Sequence, residues 1–213
     1  MTEILMIRHG QAKTNTRPDR IGGRSNSSPL TRQGRSEADM LGRYLLEHTI
    51  APTATYVSTA RRARQTMDRV IQAAGYKLDP TVDRRLQEMG QGAAEGRLRS
   101  EIYTDEVLAK LHEEQFEFRL PGGESINDVG QRMHGALSSY TMQHPDETIL
   151  IVSHGMAINS LLGTQLGWSH EETVGKGRIP ANASLTRFVM NAAVIAPHSL
   201  SYVVPHELEG VVH

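Results

Sequence analysis

Ile4-Leu5-Met6-Ile7-Arg8-His9-Gly10-Gln11-Ala12 has an echo late in the chain, Ile149-Leu150-Ile151-Val152-Ser153-His154-Gly155-Met156-Ala157. Each stretch is an unbroken apolar run of strand length ending in His-Gly. Runs without alternation suit strands buried on both faces, as in a parallel sheet covered by helices. Between them the spacing turns helical. Thr31 reads as the N-cap of a helix carrying Ala38, Leu41, Leu45 and Leu46 to about His48. Pro52 breaks that pattern and residues 53–57 read as a strand. Ala63, Met67, Val70, Ile71 and Ala74 then form the stripe of a second helix, closed by Gly75. Ser125-Ile126-Asn127-Asp128 has the form of a capping box, opening a helix along Ile126, Val129, Met133, Leu137 and Tyr140. A helix over 156–166 follows the second His-Gly, and 183–190 and 200–204 read as late strands that pair. This alternation predicts an α/β protein of three layers, α/β/α, with a mostly parallel central sheet and helices on both faces.

The middle of the chain, 76–123, is less regular. It holds a strand near Val82, a polar helix over 101–115 and a turn at Pro121-Gly122-Gly123. No low-complexity linker divides the sequence, so residues 1–213 read as a single domain with a lid or cap insertion at about 90–123. With 213 residues, 38% of them hydrophobic, the chain can bury its own core. Lys and Arg number 23 against 24 Asp and Glu, and a net charge of -1 gives no field that favours nucleic acid or an anionic membrane. Cysteine is absent, which excludes disulfides, thiolate metal sites and cysteine nucleophiles. No apolar run approaches the ~18 residues of a membrane span. No basic segment precedes an apolar one at the start, so no signal peptide is read and the expectation is a soluble, cytoplasmic protein.

In open α/β sheets, ligands sit beyond the carboxyl ends of the strands. His9 and His154 are each delivered to such an end and can face one another across one pocket. Gly10 and Gly155 let backbone approach a ligand closely, with amides free to meet an anion. A lone His-Gly at a strand end is usually only a turn; two matched copies placed by the same sheet point to a shared site. Arg8, at the end of a buried strand, calls for an anion or carboxylate. Arg61, Arg62 and Arg64 open a helix, where the dipole would prefer acids. A solvated face accounts for Arg61 and Arg64. At least one arginine aimed at a bound anion accounts better for the placement, and phosphate suits both a guanidinium and a helix N-terminus. No H-E-x-x-H, G-x-S-x-G or P-loop pattern occurs, and Gly90-Gln91-Gly92 finds its third glycine one residue late for a dinucleotide fingerprint.

Arg8-His9-Gly10 with Asn15 resembles the R-H-G-[E/Q]-x-x-x-N signature of the histidine phosphatase superfamily, the phosphoglycerate mutase-like proteins. Ser58 to Thr66 is similar to that family's S-x-L-x-R-A-x-Q-T, which aligns its phosphate-binding arginine with Arg62. Leu86-Gln87-Glu88 with Gly92 and Glu95-Gly96 resembles the segment bearing the family's proton donor. Pro121 to Ser125 resembles its P-G-G-E-S, Val152 to Gly155 its second-histidine motif, and Pro29-Leu30-Thr31 with Gly34 also fits. The matches run in family order from residue 4 to about 187. Ala12, Ala60 and Ala94 depart from the pattern, bearing on substrate choice more than on catalysis.

The resemblance implies that neutral His9 attacks phosphorus to form a phosphohistidine, which water then hydrolyses. It implies that Arg8, Arg62 and His154 stabilise the phosphoryl charge, and that Glu88 protonates the leaving alcohol and later deprotonates water. Glu95 is the rival acid. No metal and no cofactor are expected. Gln11, Asn15, Gly22, Gly23 and Gly155 are expected to line the phosphate pocket, with Arg97, Arg99 and Tyr103 reading the rest of the ligand. The other histidines (His48, His112, His134, His144, His170, His198, His206 and His213) are expected at the surface. Only about 25 residues separate Gly96 from Pro121, without a mutase-type lysine-bearing segment. That favours a phosphomonoesterase acting on a small phosphorylated metabolite over a phosphoglycerate mutase, or over a non-catalytic phosphate-binding regulatory module. The expected partner is a phosphorylated small-molecule substrate, with no nucleic acid and no membrane. A homodimer is left open, as is whether the tail, 205–213, is disordered or packs on a partner.

Overall fold

The first apolar run forms β1 (Thr2–Arg8) and its echo forms β4 (Thr148–Ser153). The two lie side by side and parallel, from Glu3 against Thr148 to Arg8 against Ser153. This is the computed structural model of the chain, and it describes residues 1–175, 177–191, 194–196 and 200–204. The tail at 205–213 and His198, His206 and His213 lie outside those residues. On the other side of β4 runs β2 (Ala54–Ser58), parallel to it, and then β3 (Thr81–Asp83), parallel to β2. β5 (Leu185–Asn191) flanks β1 in the opposite sense, and β6 (Val194–Ile195) and β7 (Ser201–Val203) each pair antiparallel with β5. The order is β3-β2-β4-β1-β5-β6, with β7 also on β5. Among the described strands, β5 alone opposes the common direction.

The reason for the unbroken apolar runs is now visible. Leu5, Ile7, Leu150 and Val152 point to a core shared with α1 (Arg32–Glu47) and α2 (Arg61–Ala74). Ile4, Met6, Ile149 and Ile151 point to the opposite core. The segment 90–123 carries α3 (Arg99–Ile102) and α4 (Asp105–Glu114), and the second core is covered by α5 (Ile126–Gln143) and α6 (Gly155–Leu166). These are the three expected layers. A short α7 (His170–Val174) follows.

The helix ends follow the local chemistry. Thr31 Oγ1 accepts from Gly34 N at 3.0 Å, Gly75 closes α2 at φ +70°, and Ser125 and Asp128 exchange both capping-box bonds. One expectation changes: the polar helix read over 101–115 is two helices, because Thr104 breaks the first and caps the second through Val107 N. β6 and α7, at two and five residues, were not foreseen.

Candidate active site

The β1–β4 register sets Arg8 against Ser153, so the next residues, His9 and His154, emerge together. Their rings meet edge to face with centroids 5.1 Å apart. The turn after β1 is held by Asn182 Nδ2, which donates to His9 O at 3.0 Å, and by Ala183 N, which donates to Arg8 O. It also needs glycine at position 10, where a Cβ would stand 2.3 Å from Gly34 O.

Hydrogen-bond partners assign the ring protons. His9 Nδ1 lies 2.7 Å from Gly10 O, and a carbonyl only accepts, so Nδ1 carries the proton. Nε2 is left with its lone pair, 3.0 Å from the donor Arg62 Nε. His154 is the mirror case. Arg62 Nη2 donates to its Nδ1 at 3.1 Å, so Nε2 holds the proton and donates to Ser58 Oγ at 2.8 Å. Arg62 Nη1 donates to the carbonyls of Arg24 and Ser25 at 2.9 and 3.0 Å. The second residue of α2 is buried, whereas Arg61 and Arg64 are exposed, as a solvated face requires.

Burial, and next the Arg62 charge, hold both imidazoles well below their usual pKa, so both are neutral. Burial also draws Arg8 and Arg62 down from the usual guanidinium value, opposed by Glu88. Arg8 Nη1 donates to Pro180 O, but its buried Nε has no partner. Arg62 meets the neutral imidazole lone pair directly, Arg8 lines the same cleft, and the buried Arg8 Nε is left unsatisfied. An incoming anion oxygen would relieve it.

Glu88 reaches the site from the loop after β3. Ser153 Oγ donates to Leu86 O at 2.9 Å and Gln87 Nε2 donates to Thr59 Oγ1 at 2.6 Å, tying that loop to the ends of β4 and β2. The carboxylate accepts from Met89 N and Ala157 N, both at 2.9 Å, and from Met156 N at 3.3 Å, so it sits on the first turn of α6. Behind it, Arg132 donates to Glu88 O at 3.1 Å and to Arg85 O at 2.7 Å, and its guanidinium grips Glu124. Glu124 Oε2 in turn accepts from Gly90 N at 2.8 Å. Glu95 is engaged elsewhere: it accepts from Arg24 N, Ser25 N and Gln91 N. That bracing holds the turn at Gly23, whose φ of +52° and a virtual Cβ contact of 2.4 Å with Glu95 both call for glycine.

These groups open onto a cleft of about 460 Å³ whose walls include Arg8, His9, Arg62, Glu88, Asn15, Gly22 and Gly23. Arg99 and Tyr103 also line it, while Arg97 pairs with Glu101 at 3.5 Å instead. Besides Arg97, three expected positions lie off the wall. Gln11 turns towards the start of α1, donating to Gln33 Oε1 at 3.0 Å and accepting from Thr31 Oγ1 at 2.8 Å. Gly155 lies beneath Arg8 and Ile179, its role being to leave room, since a Cβ would stand 2.6 Å from Ile179. His154 stands fully buried behind Arg62.

His134, His144 and His170 are half-buried, not the surface groups expected. His144 is half-buried and shares a 2.9 Å bond with the Tyr56 hydroxyl; His170 is half-buried against Phe116. Arg132 and Asn182 were not singled out from the sequence, where no local pattern marks them. Ser58, as the final residue of β2 and the neighbour of a strand end, was the one with a readable signal.

Residues 4–200 match the model of the histidine phosphatase superfamily (branch 1). A relative named probable phosphoglycerate mutase GpmB, from Salmonella paratyphi C (strain RKS4594), is 32% identical over 169 residues, 78% of this chain and 76% of its own. The solved structure of Bacillus stearothermophilus YhfR is similar at a TM-score of 0.78 and 30% identity, covering 92% of this chain and 95% of that one. A mycobacterial glucosyl-3-phosphoglycerate phosphatase follows at 0.76 and 26% identity, covering 94% and 95%.

Proposed function

The chain belongs to the histidine phosphatase superfamily, and on that premise we propose that it is a metal-independent phosphomonoesterase working through a phosphohistidine on His9. The observation that carries this reading is the His9 tautomer: Nδ1–H is spent on Gly10 O, so the Nε2 lone pair is the nucleophile, set beside the buried Arg62 guanidinium. Nε2 attacks phosphorus and the phosphorus–ester oxygen bond breaks, with Glu88 giving a proton to the departing alcohol. Water then attacks the phosphohistidine, Glu88 takes its proton, and the Nε2–phosphorus bond breaks to release phosphate. Arg8 and Arg62 stabilise the phosphoryl oxygens throughout, and His154 supports Arg62 from behind. A small phosphorylated metabolite is the substrate class, since the cleft, at about 460 Å³, lies at the small end of the range of ligand pockets and is walled in part by Arg99 and Tyr103.

The test is hydrolysis of p-nitrophenyl phosphate in EDTA by the native chain and by His9→Ala. Turnover that survives chelation and is lost in the variant is the expected result; turnover retained by His9→Ala would overturn the assignment. The name of the Salmonella relative supports a second reading, a phosphoglycerate mutase. Following 3-phosphoglycerate by phosphorus NMR separates the two: isomerisation far outpacing phosphate release would establish the mutase.

A further inference from the structure

A separate cavity of about 360 Å³ lies between α6, α7 and β5, and shares no lining residue with the cleft at His9. Thr186 of β5 lines it and is paired with Tyr202 of β7, so both side chains fall on one face of the sheet. Thr186 is 3% exposed, and its buried Oγ1 has no hydrogen-bond partner. Asn159 of α6 also lines the cavity; its Nδ2 donates to Thr173 O at 2.8 Å, which leaves Oδ1 to accept. Trp168, Leu162 and Leu200 add apolar wall. The exposed rim carries two charges. Glu172 is spent on the capping box of α7, where its Oε2 accepts from Ser169 N at 2.7 Å. Arg178 has no ion pair and no side-chain hydrogen bond among the described residues.

Each of these features asks for a different part of one ligand. A buried hydroxyl without a partner asks for a polar group inside the cavity. The unpaired guanidinium at the rim asks for a carboxylate, and the aromatic and aliphatic walls between them ask for a ring. The cavity is also tied to the reacting centre from behind. Pro180, on its wall, accepts from Arg8 Nη1, and Tyr202 Oη accepts from the next amide, Ala181 N. Asn182 then donates to His9 O at 3.0 Å. We infer that this cavity binds a small aromatic carboxylate bearing a hydroxyl group, and that its occupancy steadies the turn at 178–182 and so tightens anion binding at Arg8. Both parts concern binding alone and stand apart from the phosphatase reading.

The experiment is calorimetry on the native chain with 4-hydroxyphenylacetate as the probe. Tyrosol, which lacks the carboxylate, and phenylacetate, which lacks the hydroxyl, are the controls. The expected result is one-to-one binding of the probe with a dissociation constant below about 1 mM, weaker by about tenfold for tyrosol and several-fold for phenylacetate. Arg178→Gln should erase the first difference and Thr186→Val the second. Arg178 is exposed and the Thr186 hydroxyl has no partner to lose, so both variants should keep the native unfolding midpoint. The probe should tighten the binding of inorganic phosphate about twofold or more, and phosphate should tighten the probe by the same factor. Absence of saturable binding, equal affinity for the probe and both controls, or ratios untouched by both variants would overturn the site. Simple competition between probe and phosphate would place the carboxylate in the cleft at His9 and overturn it as well. Binding with no reciprocal effect would overturn the link to Arg8.

Discussion

Arg62 donates to four acceptors at once: His9 Nε2, His154 Nδ1 and the carbonyls of Arg24 and Ser25. Only the planar five-donor fork can do this, so Arg62→Lys should behave much like Arg62→Ala. Both should lower kcat/KM by about 10²–10³. Both should also cost about 1–3 kcal/mol in denaturant unfolding, because the half-buried carbonyls of Arg24 and Ser25 and the buried His154 Nδ1 lose their partner. Glu88 and Glu95 are separable by their effect on different leaving groups. Glu88→Gln should cost about 10²–10⁴ with alkyl phosphates and much less with p-nitrophenyl phosphate, whose leaving group departs without a proton. Glu95→Gln should affect both substrates alike, since its carboxylate braces the backbone at Arg24 and Ser25. A Glu95 variant with the leaving-group dependence expected of Glu88 would reverse the assignment.

The same contrast between appearance and placement recurs in the elements. Leu45 and Leu46 both fall in the apolar stripe read for α1, yet Leu45 is fully buried and Leu46 is 57% exposed. Leu45→Ala should therefore cost about 2–5 kcal/mol, while Leu46→Ala should stay within about 0.5 kcal/mol; the denaturant midpoints decide. Gly10→Ala tests the crossing of the β1 end and the start of α1. Its Cβ would meet the backbone at Gly34, which no side-chain rotation relieves, and a cost of about 1–3 kcal/mol is expected. Long helices were legible because each carries its own period and caps. The segment 90–123 was less so: its helices, four and ten residues long, bury none of their residues, so no stripe announces them.

For the molecule as a whole, two neutral histidines at its centre link stability to pH. Their native pKa lies well below the usual 6.5, so between those values the unfolded chain binds protons that the native state refuses. Stability from this source is complete above about pH 7 and falls as pH drops, by up to about 1.4 kcal/mol per pH unit for each histidine, levelling off below the native pKa. Unfolding midpoints at about pH 7.5 and pH 5.5 measure the slope, and His154→Gln should reduce it. An unchanged slope in that variant would mean that His154 is protonated in the native protein.

The strand order came only with the structure. The layers and the facing of two histidines were readable from residue types alone, because a strand buried on both faces must be apolar throughout and a matched His-Gly marks where it ends. The same holds for Arg8 and for the helix caps, whose chemistry is local. Glu88 and Arg62 were reached through motif resemblance, and their bonding could not be foreseen. Glu88 meets α6 across 69 positions of sequence, and Arg62 meets His154 across 92. Asn182 on His9, Arg132 on Glu88 and the outward turn of Gln11 depend likewise on which distant surfaces the packed sheet and helices bring into contact. Local sequence dictates propensity, burial pattern and capping, all of which act within a few residues; long-range contacts are set only when the layers close.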